Sequence, residues 1–295
     1  MRKYLIGIDG GGTKTDFVLT DTELCVVSRV LAGRSNPNEI GVDAVCELIT
    51  ESTGRLLESA GVSSDDIAAV FAGISGLTSG GYTQKVRDCL SGLFKNARCD
   101  ALHDGINVLY GAFPQGDGVC VICGTGSSCF VKKGSDIYRI GGYGVFDRCG
   151  NGYEISLAAL CHALRAADGR DAKTLLSERI CANLGGDMII ALEQLVKKSK
   201  KEIAEHCPTV FEASRDGCPT ALNIIKENIA YIAEMIEVSG RYFEGDYSVA
   251  LAGGVWRDSL STELLASMLP RGVNLITDGL SPAVGAAAKA KQLLT

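Results

Sequence analysis

Two glycine-tipped hairpins in one chain restrict the fold more than any other feature of the sequence. Residues 6–21 read IGIDGGGTKTDFVLTD: an apolar run from Tyr4 to Ile8, a turn from Asp9 to Thr15, then an alternating run from Phe17 to Leu19. The pattern is that of a β-hairpin with a glycine-rich tip. Residues 119–134, VCVICGTGSSCFVKKG, repeat the design around Gly124, Thr125, Gly126, Ser127 and Ser128. Without a Cβ, such tips let backbone N–H groups approach an anion such as phosphate. Neither tip is one of the common phosphate loops, because GxxxxGK[ST] is absent and no GxGxxG opens a helix here. An ordinary tight turn accounts for Gly11 and Gly12, but not for Asp9 before them or Thr13, Lys14 and Thr15 after them.

A duplicated hairpin needs room for two domains, and 295 residues with 46% hydrophobic composition supply it. The net charge of −6 and scattered basic residues leave no stripe for nucleic acid, and the run KKSKK at 197–201 reads as a solvated helix face. No apolar stretch is long enough to span a bilayer, and Met1-Arg2-Lys3 leads straight into a strand, so a cytoplasmic protein is expected. The 12 cysteines, Cys25, Cys46, Cys89, Cys120, Cys161 and Cys181 among them, lie in apolar runs of a long chain and read as reduced, buried thiols. Cys120 and Cys123 form a CxxC, but strand alternation sends i and i+3 to opposite faces, which argues against zinc. Cys123 and Cys149 stand beside glycine turns.

Along the chain, strands are expected at 4–8, 16–20, 25–31, 67–73 and 99–103, with helices over 41–60, 80–94 and 106–112. From about 153 to 242 the pattern becomes helical, with SLAALCHALRAADG ending in a glycine stop. The C-terminal part returns to strand, turn and helix through YSVALAGGVWRD, STELLASML, VNLIT and SPAVGAAAKAKQLL. The expected class is α/β, divided into an N-terminal domain over 1–112 and a C-terminal domain over 113–295.

Three glycine turns that each end a strand then suggest one ligand. The first offers Gly11, Gly12, Thr13 and Lys14, and the second Thr125, Gly126 and Ser127. The third, Gly253-Gly254 in LAGGVWRD, allows close approach to something flat such as an adenine ring. Asp104, in LHDGINVLYGA, ends a strand and opens a helix; on its own it reads as an N-cap.

The ordered set IGIDGGGTKT, HDGINVLYGA, CGTGSS, GGYG…GNGYEIS, LAGGVWRD and SPAVGAA resembles the BadF/BadG/BcrA/BcrD-type ATPase family, whose members include N-acetylglucosamine kinases, from Lys3 to about Ala290. The resemblance implies two ribonuclease-H-like (actin-like ATPase) domains around a central nucleotide cleft, with a helical insertion in the second. It further implies ATP and Mg²⁺ as cofactors, an amino sugar as small-molecule substrate, and a homodimer. Asp104 would be the general base of phosphoryl transfer to the sugar 6-hydroxyl, and Asp9 the carboxylate that holds Mg²⁺ through water. The sugar would meet Asn36 in GRSNPNEIG and Ser75 and Gly76 in AGISGL, together with Asp104, Gly124, Thr125, Gly142 and Asp147.

The stretch GGYGVFDRCGNGYEIS departs from the family pattern. Arg148 and Cys149 stand where an Asp-Glu pair is usual, Asp147 is the nearest acidic substitute, and Glu154 is a second acidic candidate or a helix-start residue. N-acetylglucosamine, N-acetylmuramic acid and glucosamine all remain open as substrates. The competing enzyme class in the same family is an ATPase activator of a 2-hydroxyacyl-CoA or benzoyl-CoA-type dehydratase or reductase. Such an activator carries an iron-sulfur cluster between subunits, for which Cys123 and Cys149 are conceivable suppliers. A sugar-sensing regulator ranks third, since no DNA-binding extension precedes Tyr4.

Overall fold

The computed structural model describes residues 4–78, 80–148, 150–276 and 279–295. The chain divides into two compact units, Met1–Asp117 with Asp278–Thr295, and Gly118–Thr277.

The first unit contains β1 (Tyr4–Gly10), β2 (Thr15–Asp21), β3 (Val26–Ala32), α1 (Pro37–Ile40), α2 (Val42–Ala60), β4 (Ile67–Ile74), α3 (Tyr82–Leu93), β5 (Arg98–Leu102) and α4 (Gly105–Ala112). Its sheet runs β3-β2-β1-β4-β5. The hairpin strands pair antiparallel, with Gly10 opposite Thr15 at the tip, and β4 joins β1 in parallel. Burial follows strand position. IAAVFAGI of β4 is buried at every residue, as expected of a parallel strand covered on both faces, whereas the edge strand β3 alternates between exposed and partly exposed positions. Helix α2 turns Val42, Val45, Ile49 and Leu56 inward at helical spacing and stops at Gly61, whose φ of 63° is left-handed. Each of those buried side chains contributes about 1.5–3 kcal/mol.

The second unit repeats this sheet. Strands β6 (Gly118–Cys123), β7 (Ser127–Lys133) and β8 (Asp136–Ile140) are followed by a helical segment of α5 (Gly152–Ala167), α6 (Leu175–Asn183), α7 (Met188–Leu195), α8 (Lys200–Ala204), α9 (Cys207–Arg215) and α10 (Pro219–Ser239). The chain then forms β9 (Tyr247–Ala252), α11 (Ser259–Met268) and β10 (Val273–Ile276). The sheet order is β10-β9-β6-β7-β8, with β6–β7 antiparallel and β6–β9 parallel. Read from the hairpin outward, both sheets have one topology, so the repeat seen in the sequence is a repeat of architecture.

The final helix, α12 (Pro282–Gln292), belongs to the first unit, whereas the division read along the sequence assigns 113–295 to one domain. Small residues make its seat. A Cβ on Gly7 of β1 would stand 2.1 Å from Ala283 O, and one on Gly285 of α12 would stand 2.0 Å from Asn107 O of α4. The buried alanines of α12 complete the contact, a packing that no local feature of the sequence announces. Among the described residues, no helix is long and apolar enough to cross a membrane.

Candidate functional site

The tip of the first hairpin is tied to two neighbouring loops through its backbone. Gly10 O accepts Ser75 N–H at 2.9 Å, Gly11 O accepts Ser35 N–H at 3.0 Å, and Gly11 N–H donates to Lys14 O at 3.0 Å. Gly12, Thr13 and Lys14 remain exposed. Asn36 accepts Asn38 N–H at 3.0 Å and thereby caps α1, while Asn38 Nδ2 donates to Gly76 O at 3.2 Å. Gly76 has φ of 85°, and a Cβ there would lie 2.3 Å from Asn36 Oδ1. The predicted residues Gly11–Lys14, Asn36, Ser75 and Gly76 therefore gather at one end of the strands of one sheet.

Two carboxylates stand at this end of the sheet. Asp9, at the end of β1, accepts a 2.7 Å hydrogen bond from Asn107 Nδ2. Burial pushes its carboxyl up to about 6; the Asn107 bond opposes that rise, and the Asp104 and Asp16 charges add to it. Asp104 occupies the N-cap position of α4 but makes no side-chain capping bond. Its Oδ1 lies 2.8 Å from His103 Nδ1, and its side chain is 33% exposed. Nothing in the capping of α4 therefore consumes this carboxylate.

Asn107 is a residue that the sequence reading missed. It is fully buried, and its Nδ2 also lies within hydrogen-bond distance of Ile8 O at 3.3 Å and Gly73 O at 2.9 Å, so one amide ties α4 to β1 and β4. An asparagine inside the apolar run INVLYGA was the available signal, because a buried amide must find partners. Among the described residues its Oδ1 has no hydrogen-bond partner.

In the second unit the tip closes on itself, Gly124 N–H donating to Gly126 O at 2.8 Å. It also leans on the start of α5, where Gly152 N–H donates to Gly124 O at 2.8 Å and Tyr153 N–H to Thr125 O at 3.3 Å. Asn151 caps α5 by accepting Glu154 N–H at 3.0 Å, and its Nδ2 approaches Ser127 Oγ at 3.4 Å. A Cβ on Gly124 or Gly126 would meet nothing within 4 Å, so these glycines leave open space above the backbone. Gly253 is different. Its φ is 108°, and a Cβ there would stand 2.2 Å from Cys123 O, so the turn after β9 lies against the end of β6.

A cavity of about 710 Å³ opens between these turns, bordered by Gly124, Thr125, Gly152, Phe211, Gly254 and Val255. A second, of about 610 Å³, holds Thr125, Gly126 and Ser127 together with Gly142, Asp147 and Glu154. Thr125 is common to both. Asp147 Oδ2 accepts Tyr143 N–H at 3.3 Å, and Gly142 O accepts a hydrogen bond from Arg139 Nη2. Glu154 keeps a helix-start role, its Oε2 accepting Gly150 N–H at 2.8 Å.

Two sequence readings are corrected. The run at 197–201 is not one helix face: it spans a break, with Ser199 capping α8 in a reciprocal box with Glu202, and Lys201 and Lys200 border the first and second cavity respectively. Of the six cysteines read as buried, Cys120 is buried, Cys46, Cys89 and Cys181 are only partly buried, and Cys25 and Cys161 are exposed. Cys120 and Cys123 are both fully buried, and among the described residues no three or more His, Cys, Asp or Glu side chains group as a metal-binding cluster. Cys123 Sγ lies 3.4 Å from Gly150 O, whereas Cys149 lies outside the described residues.

Comparison with known proteins places the chain in a family. The chain is 32% identical, over 76% of its length and 75% of the relative's, to an N-acetylmuramic acid/N-acetylglucosamine kinase of Clostridium acetobutylicum. It is 26% identical to an N-acetyl-D-glucosamine kinase of Dictyostelium discoideum, over 97% of each chain. Among solved structures, a candidate N-acetylglucosamine kinase from Chromobacterium violaceum superposes with a TM-score of 0.73 at 22% identity, covering 99% of both chains, and so shares the fold of two actin-like ATPase domains. The pattern of the BadF/BadG/BcrA/BcrD ATPase family matches residues 6–290, and the chain belongs to that family.

Proposed function

We propose that the protein is an ATP-dependent amino sugar kinase, with N-acetylglucosamine as the simplest substrate and its 6-hydroxyl as the acceptor. The observation that carries this reading is Asp104: it stands at a helix start without capping it, one-third exposed, at the same end of the sheet as a glycine tip that offers bare backbone. The kinase names of relatives at 26–32% identity over most of the chain support the same class.

In this reading Asp104 accepts the proton of the sugar hydroxyl as its oxygen attacks the γ-phosphorus, and ADP leaves with the electrons of the broken P–O bond. Gly11, Gly12, Thr13 and Lys14 are assigned to phosphate oxygens, as are Thr125, Gly126 and Ser127. The cavity beside Gly253 and Gly254 suits adenosine, since its wall includes the apolar surface of Phe211 and Val255 next to the tip. Asn36, Ser75 and Gly76, with Gly124, Thr125, Gly142 and Asp147, are assigned to the sugar.

The residues present fit Mg²⁺. A carboxyl raised to about 6 by burial and by the nearby charge of Asp104 is one that a divalent cation would return to its ionised form. Asp9, oriented by Asn107, would hold the ion, and Asp104 would share its field. When bound, Mg²⁺ supplies neutralisation of the phosphate charge.

The activator reading is disfavoured by Cys123, which is buried against Gly150 O rather than presented for a shared cluster. Aerobically purified protein should release ADP in a coupled assay when given Mg-ATP with N-acetylglucosamine, and much less with plain hexoses. ADP release indifferent to sugar, or a brown oxygen-labile protein, would overturn the assignment.

A further inference from the structure

His103 stands against the carboxylate assigned as the base. It follows β5 directly and precedes Asp104, the N-cap residue of α4. Its Nδ1 accepts the Gly105 N–H at 3.1 Å. The imidazole thereby does the capping that Asp104 leaves undone, meeting one of the backbone donors that a helix start leaves without an intrahelical partner. The same nitrogen lies 2.8 Å from Asp104 Oδ1.

Together these two contacts restrict where a proton can sit. A ring nitrogen that accepts from a backbone N–H presents its lone pair and carries no proton of its own. An ionised carboxylate oxygen is an acceptor only, so two lone pairs face each other across the 2.8 Å and no attraction joins them. A proton resident on Nδ1 would instead turn two donors on each other at Gly105 N–H. Once Asp104 takes a proton on Oδ1, both contacts are satisfied: its O–H donates to Nδ1 while Gly105 N–H keeps its acceptor.

We propose that His103 is a positioning residue for phosphoryl transfer, accepting a hydrogen bond from Asp104 as that carboxylate takes the proton of the sugar hydroxyl. In this step the hydroxyl O–H bond breaks and its electron pair forms the new bond to the γ-phosphorus. The P–O bond to ADP breaks with its electrons on ADP, and the proton comes to rest on Asp104 Oδ1, facing Nδ1. Both side chains reach solvent, at 25% and 33% exposure, so the proton can pass to water as the products leave. An interaction that forms only as the proton moves raises the rate of the chemical step without tightening substrate binding. The inference rests on the amino sugar kinase reading and uses residues of the first unit alone.

The test measures single-turnover ADP formation from Mg-ATP and N-acetylglucosamine, both KM values and the melting temperature, for the wild type, His103→Asn and His103→Ser. Asparagine and serine are helix-capping residues that can take the Gly105 N–H, but their oxygens are far weaker acceptors than an imidazole nitrogen. The expected result is a chemical step slower by about 10-fold, the size of one hydrogen bond, in variants that melt like the wild type. Both KM values should stay within about twofold, as expected when only a transition-state interaction is lost. A chemical step as fast as wild type in both variants overturns the proposal and leaves the kinase reading standing. A loss confined to the KM for sugar also overturns it, as does failure of both variants to fold, which would make the ring a structural cap. No sugar-dependent ADP formation by the wild type removes the kinase reading, and this inference with it.

Discussion

Asp9 should make the ligand-free protein less stable at neutral pH than it needs to be, and Asp9→Asn should relieve this. The folded-state carboxyl is raised from 3.8 to about 6, with burial as the largest cause. Between those values the folded protein holds a proton that the unfolded chain has lost, so stability falls as pH rises through the window and the loss is complete above it. A shift of roughly two pH units corresponds to about 3 kcal/mol, and partial contact with water reduces this to about 1–3 kcal/mol. Asparagine has the same shape, cannot ionise, and can still accept the bond from Asn107 Nδ2. Urea unfolding of both proteins in EDTA, without nucleotide, should therefore show Asp9→Asn more stable by about 1–3 kcal/mol at pH 7.5, with most of the gain gone by pH 4. A variant that is less stable than wild type at pH 7.5, or a gain that does not change with pH, would refute the argument. The same substitution should abolish Mg²⁺-dependent stabilisation by ATP, because a residue stored at a cost in the empty protein is one kept for a ligand.

Three further outcomes follow from the same geometry. Asp104→Asn should lower kcat by about 10²–10⁴-fold while the Kd for ATP, measured by calorimetry, stays within about twofold, as expected when only a proton acceptor is lost. Gly126→Val should leave the melting temperature within a few degrees, because a Cβ there meets nothing within 4 Å, yet raise the KM for ATP far more than that for sugar; equal effects on both would remove the tip from the phosphate site. Gly285→Ala should destabilise the protein by about 1–3 kcal/mol or more in urea, since its Cβ would press to 2.0 Å from Asn107 O, and a neutral result would mean that α12 does not lie where described.

Local chemistry made the hairpins legible. Alternating apolar runs around Asp9–Thr15 and Gly124–Ser128 specify strand and turn with no help from elsewhere, and the structure has β1–β2 and β6–β7 at those places. The buried run of β4 was readable for the same reason. β8 was not anticipated, because DIYRI is a short, partly exposed edge strand whose tyrosine is flanked by charged and apolar residues without clear alternation. The docking of α12 on Gly7 is a contact between positions nearly 280 residues apart, and nothing within either segment encodes its partner.

The candidate site was read residue by residue, but its wiring was not. Asp104 in isolation reads as a cap, and only the coordinates reveal that its carboxylate caps nothing. Asn107 stands as a lone amide in an apolar helical run, and nothing within that run announces that it holds Asp9 in place. Lys200 and Lys201 read in sequence as part of a solvated basic run, although a helix break directs the run to the walls of two cavities. In each case the missing information is which side chains share a neighbourhood, a property of the folded chain.

The most direct test of phosphoryl transfer by Asp104 follows ³¹P resonances while the wild type and Asp104→Asn each turn over Mg-ATP with N-acetylglucosamine. The account predicts that the wild type converts the γ-phosphate signal into a sugar phosphate monoester, one per ADP, and that the variant leaves ATP intact. Free inorganic phosphate in place of the ester, or an ester formed equally fast by the variant, would contradict it.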